Sequence, residues 1–381
     1  MNLRALLRRV AVAPLLFGAC VALPAHAHGD EAAAAARLPQ RVALLARAQA
    51  ELERGDAPQA LDDFERAAMM LHASDAELGL IRAAMQDGQY RRALAFCAHT
   101  AGEHTDDADG GALYAWLLRI GGQGELATHV LAQLRAQASD DAVTVAVDAA
   151  FGTTPSAATG VLLAPLHRMA PWPVMLEAQT PPPVTARFAS SATLVDNGTA
   201  ALLPLVAMAA APGARFWVRN GLGQTTSATP DRSDAALEAR GLARLALGTP
   251  LPVGASRVAA GRAPFAGSPG YALQFGAGAE PAWPTLTQGF LGSPVGNSDV
   301  RKLGFGATPG APVLDAKGEL IGVALPTAGG PAAWLPLPSA MQPRGGAPAL
   351  PTHAGLALVA PDEIYEAGLR RALQVLVDAP R

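Results

Sequence analysis

Residues 306–323 read Gly306-Ala307-Thr308-Pro309-Gly310-Ala311-Pro312-Val313-Leu314-Asp315-Ala316-Lys317-Gly318-Glu319-Leu320-Ile321-Gly322-Val323. Val313 and Leu314 are apolar, Lys317-Gly318 is a turn pair, and Leu320 to Leu325 is apolar and partly β-branched. That order predicts a β-hairpin. Gly306, Pro309, Gly310 and Pro312 crowd the approach to it, so a tight loop delivers the chain into the first strand.

Working outward, the surrounding sequence from Thr185 to Leu337 is short apolar runs between Gly/Pro turns. The predicted strands are Ala192–Asp196, Ala200–Leu205, Arg215–Arg219, Thr225–Thr229, Leu242–Leu247, Ser256–Ala259, Tyr271–Phe275, Thr285–Leu291, Pro312–Asp315, Leu320–Leu325 and Ala333–Leu337. Closely spaced short strands of this kind predict a sandwich or a pair of barrels.

The loop and hairpin resemble the nucleophile loop of trypsin-like serine proteases, especially the bacterial periplasmic high-temperature-requirement branch. That pattern runs Gly-Asn-Ser-Gly-Gly-Pro, two apolar residues, Asp or Asn, and a turn into Gly-Glu-Leu-Ile-Gly-Val. Gly310-Ala311-Pro312 stands at Gly-Gly-Pro, which puts Pro309 at the nucleophile. Other landmarks follow in order. Leu202-Leu203-Pro204-Leu205-Val206-Ala207-Met208 occupies the strand that leads into the family's histidine, with Ala207 at that residue. Gly241-Leu242-Ala243-Arg244-Leu245 resembles Asp-Leu-Ala-Leu-Leu, with Gly241 at the aspartate. The resemblance implies a two-barrel fold over residues 185–345, with Ala207, Gly241 and Pro309 where the catalytic triad would be.

One observation is independent of alignment: no histidine lies between His167 and His353. Serine-protease chemistry needs a base within hydrogen-bond reach of a hydroxyl. Proline also has no N–H, so Pro309 would remove an oxyanion donor together with the nucleophile. Gly296-Asn297-Ser298 imitates the nucleophile motif, but Asp299-Val300 follows it, and these residues suit a turn. Gly276-Ala277-Gly278-Ala279 lacks a following helix and a phosphate-binding lysine, and reads as a loop.

The first half is helical and repetitive. Gly55, Gly88 and Gly122 are each followed five residues later by alanine (Ala60, Ala93, Ala127), and four residues beyond by Phe64, Cys97 and Leu131. A period of about 33 residues is that of a helix–turn–helix repeat. Glycine permits the turn, and the small alanine lets two helices approach. The array, residues 38–140, resembles tetratricopeptide repeats, although His72, Thr105 and Ser139 stand where a proline would close each unit. Such repeats carry a concave peptide-binding face. The resemblance places Gln49, Glu53, Arg82, Gln86, Trp116 and Arg119 on the first helices that would line it. Cys97 falls on an apolar face and reads as a buried thiol. His72, His99, His104 and His129 show no metal-ligand spacing, so no metal or other cofactor is expected.

The ends complete the outline. Arg4, Arg8 and Arg9, the apolar run Val10–Leu23 and Ala25-His26-Ala27 read as a secretory signal peptide over residues 1–27, cleaved after Ala27. Its loss would take the net charge from −3 to −6. A lipoprotein anchored through Cys20 is the alternative, with Phe17 a departure from the usual lipoprotein box. Either implies a periplasmic or secreted protein, with Cys97 unpaired in the mature chain if cleavage follows Ala27. No later run is long enough for an integral membrane segment, and no basic stripe suggests nucleic acid. Residues 141–184 accumulate proline (Pro171, Pro173, Pro181, Pro182, Pro183) and read as a spacer. Residues 346–381 read as a short strand over Thr352–Ala360 and a helix from Pro361 to about Asp378.

The expected protein is therefore multidomain: a tetratricopeptide-like helical hairpin array, then an all-β two-barrel trypsin-like domain with a C-terminal helix. Three functions follow from it. One is a pseudoprotease that binds protein or peptide. The others are an active trypsin-like endopeptidase with an unrecognised triad, and a structural subunit of an envelope assembly.

Overall fold

The computed structural model describes residues 27–153, 155–176, 181–209, 213–259, 264–326, 332–337 and 358–379. Residues 1–26, with Cys20 and most of the expected signal peptide, and His353 lie outside them. Seven helices come first: α1 (Ala27–Glu53), α2 (Ala57–Met70), α3 (Ser74–Asp87), α4 (Tyr90–Glu103), α5 (Ala108–Ile120), α6 (Gly124–Gln137) and α7 (Ala142–Phe151). They pair as hairpins α1/α2, α3/α4 and α5/α6, turning at Gly55, Gly88 and Gly122, whose φ values are +82°, +86° and +84°. Each turn is closed by the same bond, from the residue after the glycine to a carbonyl five residues back: Asp56 to Glu51 (2.9 Å), Gln89 to Ala84 (2.8 Å) and Gln123 to Leu118 (2.9 Å). This satisfies carbonyls that a helix end otherwise leaves open. Ala60, Ala93 and Ala127 are buried between the paired helices, with Phe64, Cys97 and Leu131 buried beside them. Burial holds the Cys97 thiol well above its ordinary pKa, which keeps it protonated and inert.

The β half consists of β1 (Val174–Met175), β2 (Arg187–Val195), β3 (Ala200–Pro204), the one-turn α8 (Leu205–Ala209), β4 (Arg215–Asn220), β5 (Gln224–Asp231), the short α9 (Ala235–Glu238) and β6 (Leu242–Leu247). It continues with β7 (Pro269–Gln274), β8 (Thr285–Pro294), β9 (Arg301–Leu303), β10 (Pro312–Asp315), β11 (Leu320–Leu325), β12 (Ala333–Pro336), α10 (Pro361–Gly368) and β13 (Ala372–Asp378). The opening hairpin is β10–β11, with Val313 opposite Gly322. Strands β7, β8, β9, β12, β11 and β10 form one closed barrel in that order. The other sheet runs β5-β4-β13-β2-β3-β6 and closes through β5–β6, while β1 adds outside it, parallel to β5.

Four expectations need correction. The C-terminal helix stops at Gly368, and residues 372–378 are a strand. Every residue from Ala372 to Leu376 is buried, and a strand covered on both faces shows a continuous apolar run instead of alternation. Ser256–Ala259 forms only an isolated bridge, Val258 to Leu320. Residues 352–357 of the expected tail strand lie outside the described residues, and 358–360 are not strand. The proline-rich segment also departs from a free spacer. Leu162, Met169, Ala170 and Trp172 are buried in the same core as the helices.

Array and barrels share that core. The cluster containing Leu52, Ile81, Tyr90, Trp116 and Leu131 continues through Leu222, Leu273, Phe275, Leu286 and Tyr365. The three glycine turns form the docking edge. A Cβ on Gly55 would lie 2.3 Å from Val174, one on Gly88 3.3 Å from Arg370 and 3.4 Å from Leu222, and one on Gly122 3.4 Å from Leu286. Tyr90 of α4 packs on Tyr365 of α10 with ring centroids 4.4 Å apart, and Arg91 pairs with Glu363 and Glu366.

Leu373 is fully buried on β13 between two strand partners. Leu373→Ala is expected to cost about 2–5 kcal/mol in urea unfolding. Leu166→Ala, at an exposed leucine, should stay within about 0.5 kcal/mol of the parent.

Candidate functional site

The two barrels meet where β3 ends and where the loop before β10 begins. β3 finishes at Pro204, and α8 follows as a single turn carrying Ala207. The Leu205 N–H donates to the Gly241 carbonyl at 2.9 Å, so α8 starts against the residue that precedes β6. From the other barrel, the Gly310 N–H donates to Ala324 at 2.8 Å, and the Thr193 hydroxyl donates to the Gly310 carbonyl at 2.8 Å. Gly310 has φ +90°, and a Cβ there would stand 2.0 Å from the Ser191 carbonyl oxygen and 2.9 Å from Pro204. Only glycine combines that backbone conformation with so close an approach. Ala207, Gly241 and Pro309 therefore all lie within three residues of this junction.

The side chains at those positions are a methyl group, a hydrogen and a pyrrolidine ring. None can accept or hold a proton. Neighbouring polar groups are committed to structure. Ser191 Oγ accepts from the Phe275 N–H at 3.2 Å, and the Thr308 hydroxyl donates to Gln274 Oε1 at 2.8 Å. Ser298 is exposed in the turn after β8, and its hydroxyl donates to the Val295 carbonyl at 2.7 Å, as expected of a turn residue. His167 is engaged by the helices, with Nδ1 2.9 Å from Asp109 of α5.

A groove of about 570 Å³ opens beside the loop. Gly122 and Pro155 line it from the helical side, and Gln274, Leu286, Phe305 and Pro309 from the second barrel. Among the described residues, no ionisable side chain lines it.

The six candidate groove residues of the array are not brought together on an open face. Gln86 is buried and holds the chain's own segment: its Nε2 donates to the Leu222 carbonyl at 2.7 Å and its Oε1 accepts from the Trp172 N–H at 2.8 Å. Arg82 is buried, and burial lowers its pKa to about 10. Trp116 is buried against Phe151. Arg119 stacks on the Phe151 ring and donates to its carbonyl. Gln49 and Glu53 bond to each other on α1. The physical reason is self-occupancy at three of them, since Trp172 and the β4–β5 turn hold Gln86 and Phe151 packs on Trp116 and Arg119, while Glu53 stays exposed. Two groupings escaped sequence reading. One is the lining of the groove, and the other is the meeting of His72, His99 and His104 around Glu77. Neither has a local signal, because their members come from separate elements.

No protein-family model matches the chain, and no curated protein matches it. Among solved structures it is similar to the MamO protease domain from Magnetospirillum magneticum, at 16% identity over 42% of this chain and 88% of that one, with a TM-score of 0.29. An HtrA-type protease, AlgW, with a decapeptide is similar at 20% identity over 39% of this chain and 47% of that one, with a TM-score of 0.31. Deg5 is similar at 17% identity over 40% and 83%, with a TM-score of 0.31. The trypsin-like architecture of the β half rests on its own topology, two closed six-stranded antiparallel barrels with the loop of the second abutting the first.

Two variants test this geometry. Gly310→Ala should destabilise the protein by at least about 3 kcal/mol, from backbone strain and a clash with a fixed carbonyl. Gly306→Ala, with open space around its Cβ, should be near neutral, both read by thermal unfolding. Gln86→Ala should cost about 2–4 kcal/mol, because buried partners at Trp172 and Leu222 lose their bonds. Limited proteolysis should then cut between Thr153 and Val184 first.

Proposed function

We propose that this protein is an exported, catalytically inert trypsin-like protein that binds protein or peptide. The observation that carries the reading is the junction itself: Ala207, Gly241 and Pro309 surround it, and no histidine occurs from residue 168 to 352. Acyl transfer needs a nucleophile, a base in contact with it and an oxyanion donor. None of the three side chains offers a nucleophile or a base, and Pro309 has no N–H to donate. Export is supported by the basic, apolar and small-residue order of residues 1–27. Among the described residues, no helix is long and apolar enough to cross a membrane.

The surface best suited to a ligand is the groove beside Pro309. Its size and largely apolar lining, with Gln274, Thr287, Gln288 and Thr308 as polar side chains, suit an uncharged extended peptide segment, held by apolar contacts and a few hydrogen bonds. Gln86, Trp116 and Arg119 of the helical array are occupied by the protein's own chain, which argues for the groove as the working surface. The tetratricopeptide-like helices then act as one wall of it, through Gly122.

Incubation with a fluorophosphonate probe and with unfolded casein should give neither serine labelling nor cleavage. Labelling at any serine would establish an active endopeptidase instead. Binding of fluorescent uncharged peptides, followed by polarisation, should be lost in Thr287→Arg, which places a charge in the groove, and kept in Gln49→Ala/Glu53→Ala. The opposite pattern would move the working surface to α1. No binding by either would leave the envelope subunit as the better account.

A further inference from the structure

Histidines that are far apart in sequence converge at the end of the second helical hairpin. His72 sits in the link between α2 and α3, Glu77 on α3, His99 on α4, and His104 caps the end of α4. His72 Nε2 is 2.7 Å from Glu77 Oε1 and 3.2 Å from His99 Nε2, and His99 Nε2 is 3.6 Å from the same oxygen. His104 Nε2 is 3.5 Å from Glu77 Oε2, and its ring centroid is 5.1 Å from that of His72.

These are the separations of donors that share one ion. Two ligand bonds of about 2.0–2.1 Å at a tetrahedral angle place their donor atoms roughly 3.3 Å apart. The rest of the arrangement fits as well. The Glu77 side chain is only 5% exposed, and a buried carboxylate calls for a cationic partner. Its Oε2 accepts from the Thr100 hydroxyl at 2.7 Å, the kind of outer bond that orients a ligating carboxylate. His104 Nε2 is buried with no hydrogen-bond partner. The His72 and His99 side chains are 57% and 48% exposed, which provides a path of entry.

We propose that His72, Glu77 and His99 bind a divalent transition ion, zinc above all, with the His104 ring beside them. Two imidazoles and one carboxylate, with a position left for water, suit zinc and its neighbours. The absence of a thiolate disfavours copper(I), and the nitrogen donors disfavour magnesium and calcium. The three ligands come from the α2–α3 link, α3 and α4. A bound ion would therefore staple the first hairpin to the second, in a mature chain whose one described cysteine is free. The spacing hides this in sequence. His72 lies before its helix begins, and Glu77 and His99 sit on different helices, so the ligands do not follow one helical face.

The test uses the mature full-length chain without a histidine tag, freed of metal by a chelator and dialysed. Calorimetry with zinc should show one saturable site, cobalt(II) should give the visible absorption of a tetrahedral nitrogen–oxygen site, and zinc should raise Tm while magnesium does not. His99→Ala should weaken zinc binding by more than about tenfold, since even outer-shell partners are worth about 10–100-fold. His129→Ala, at an exposed histidine elsewhere in the array, should leave it unchanged. The double variant His72→Ala/His99→Ala alters only partly exposed side chains. Its fold is checked by circular dichroism, and it should abolish the cobalt spectrum. No saturable zinc binding by the parent, or binding that survives in the folded double variant, would overturn the proposal.

Discussion

Closure of the first barrel depends on the last strand of the chain. β13 lies between β2 and β4, with Leu373 facing Ala192 on one side and Asn220 on the other. Without it, both neighbours would present a row of unpaired N–H and C=O groups, and a barrel exists to remove such edges. Arg371 fixes the approach. Its guanidinium donates to Ser256 and to the Leu194 carbonyl, while the Leu194 N–H donates back to the Arg371 carbonyl. Burial of that guanidinium lowers its pKa, and these bonds offset part of the cost of taking the charge from water.

The two barrels make the consequence plain. In the second, strands β7 to β12 pair first with second, second with third, third with sixth, sixth with fifth, fifth with fourth, and fourth with first. The first barrel repeats that order if β13 takes the first position ahead of β2 to β6. Its leading strand has thus come from the C-terminus. The position that a leading strand would hold in the chain is occupied by the segment that packs against the helices. This ties the two ends of the β half together and makes the first barrel's closure a contact between distant parts of the chain, whereas each helical hairpin closes locally.

The same covering logic explains the candidate site. Docking of the glycine turns on Val174, Leu222 and Leu286 merges the array with the barrels. It buries Gln86 against the Leu222 carbonyl and leaves the groove beside Pro309 bounded by both halves. The groove depends on that docking, because Gly122 and Pro155 form one of its walls.

Much of this was legible in the residues. The Pro312–Asp315 and Leu320–Leu325 hairpin, the glycine–alanine spacing of the array and the lack of a histidine across residues 168–352 are local or compositional facts, and folding does not alter them. Backbone period and turn chemistry act over a few residues, so they are written in the sequence. The tertiary structure alone decided that Ala372–Asp378 is a strand, because a segment buried on both faces loses the alternation that marks one. It alone decided that Gln86, Trp116 and Arg119 are occupied by the protein's own chain. It also brought His72, His99 and His104 to one carboxylate. Which surfaces cover one another is set by contacts between distant segments, and no local pattern encodes them.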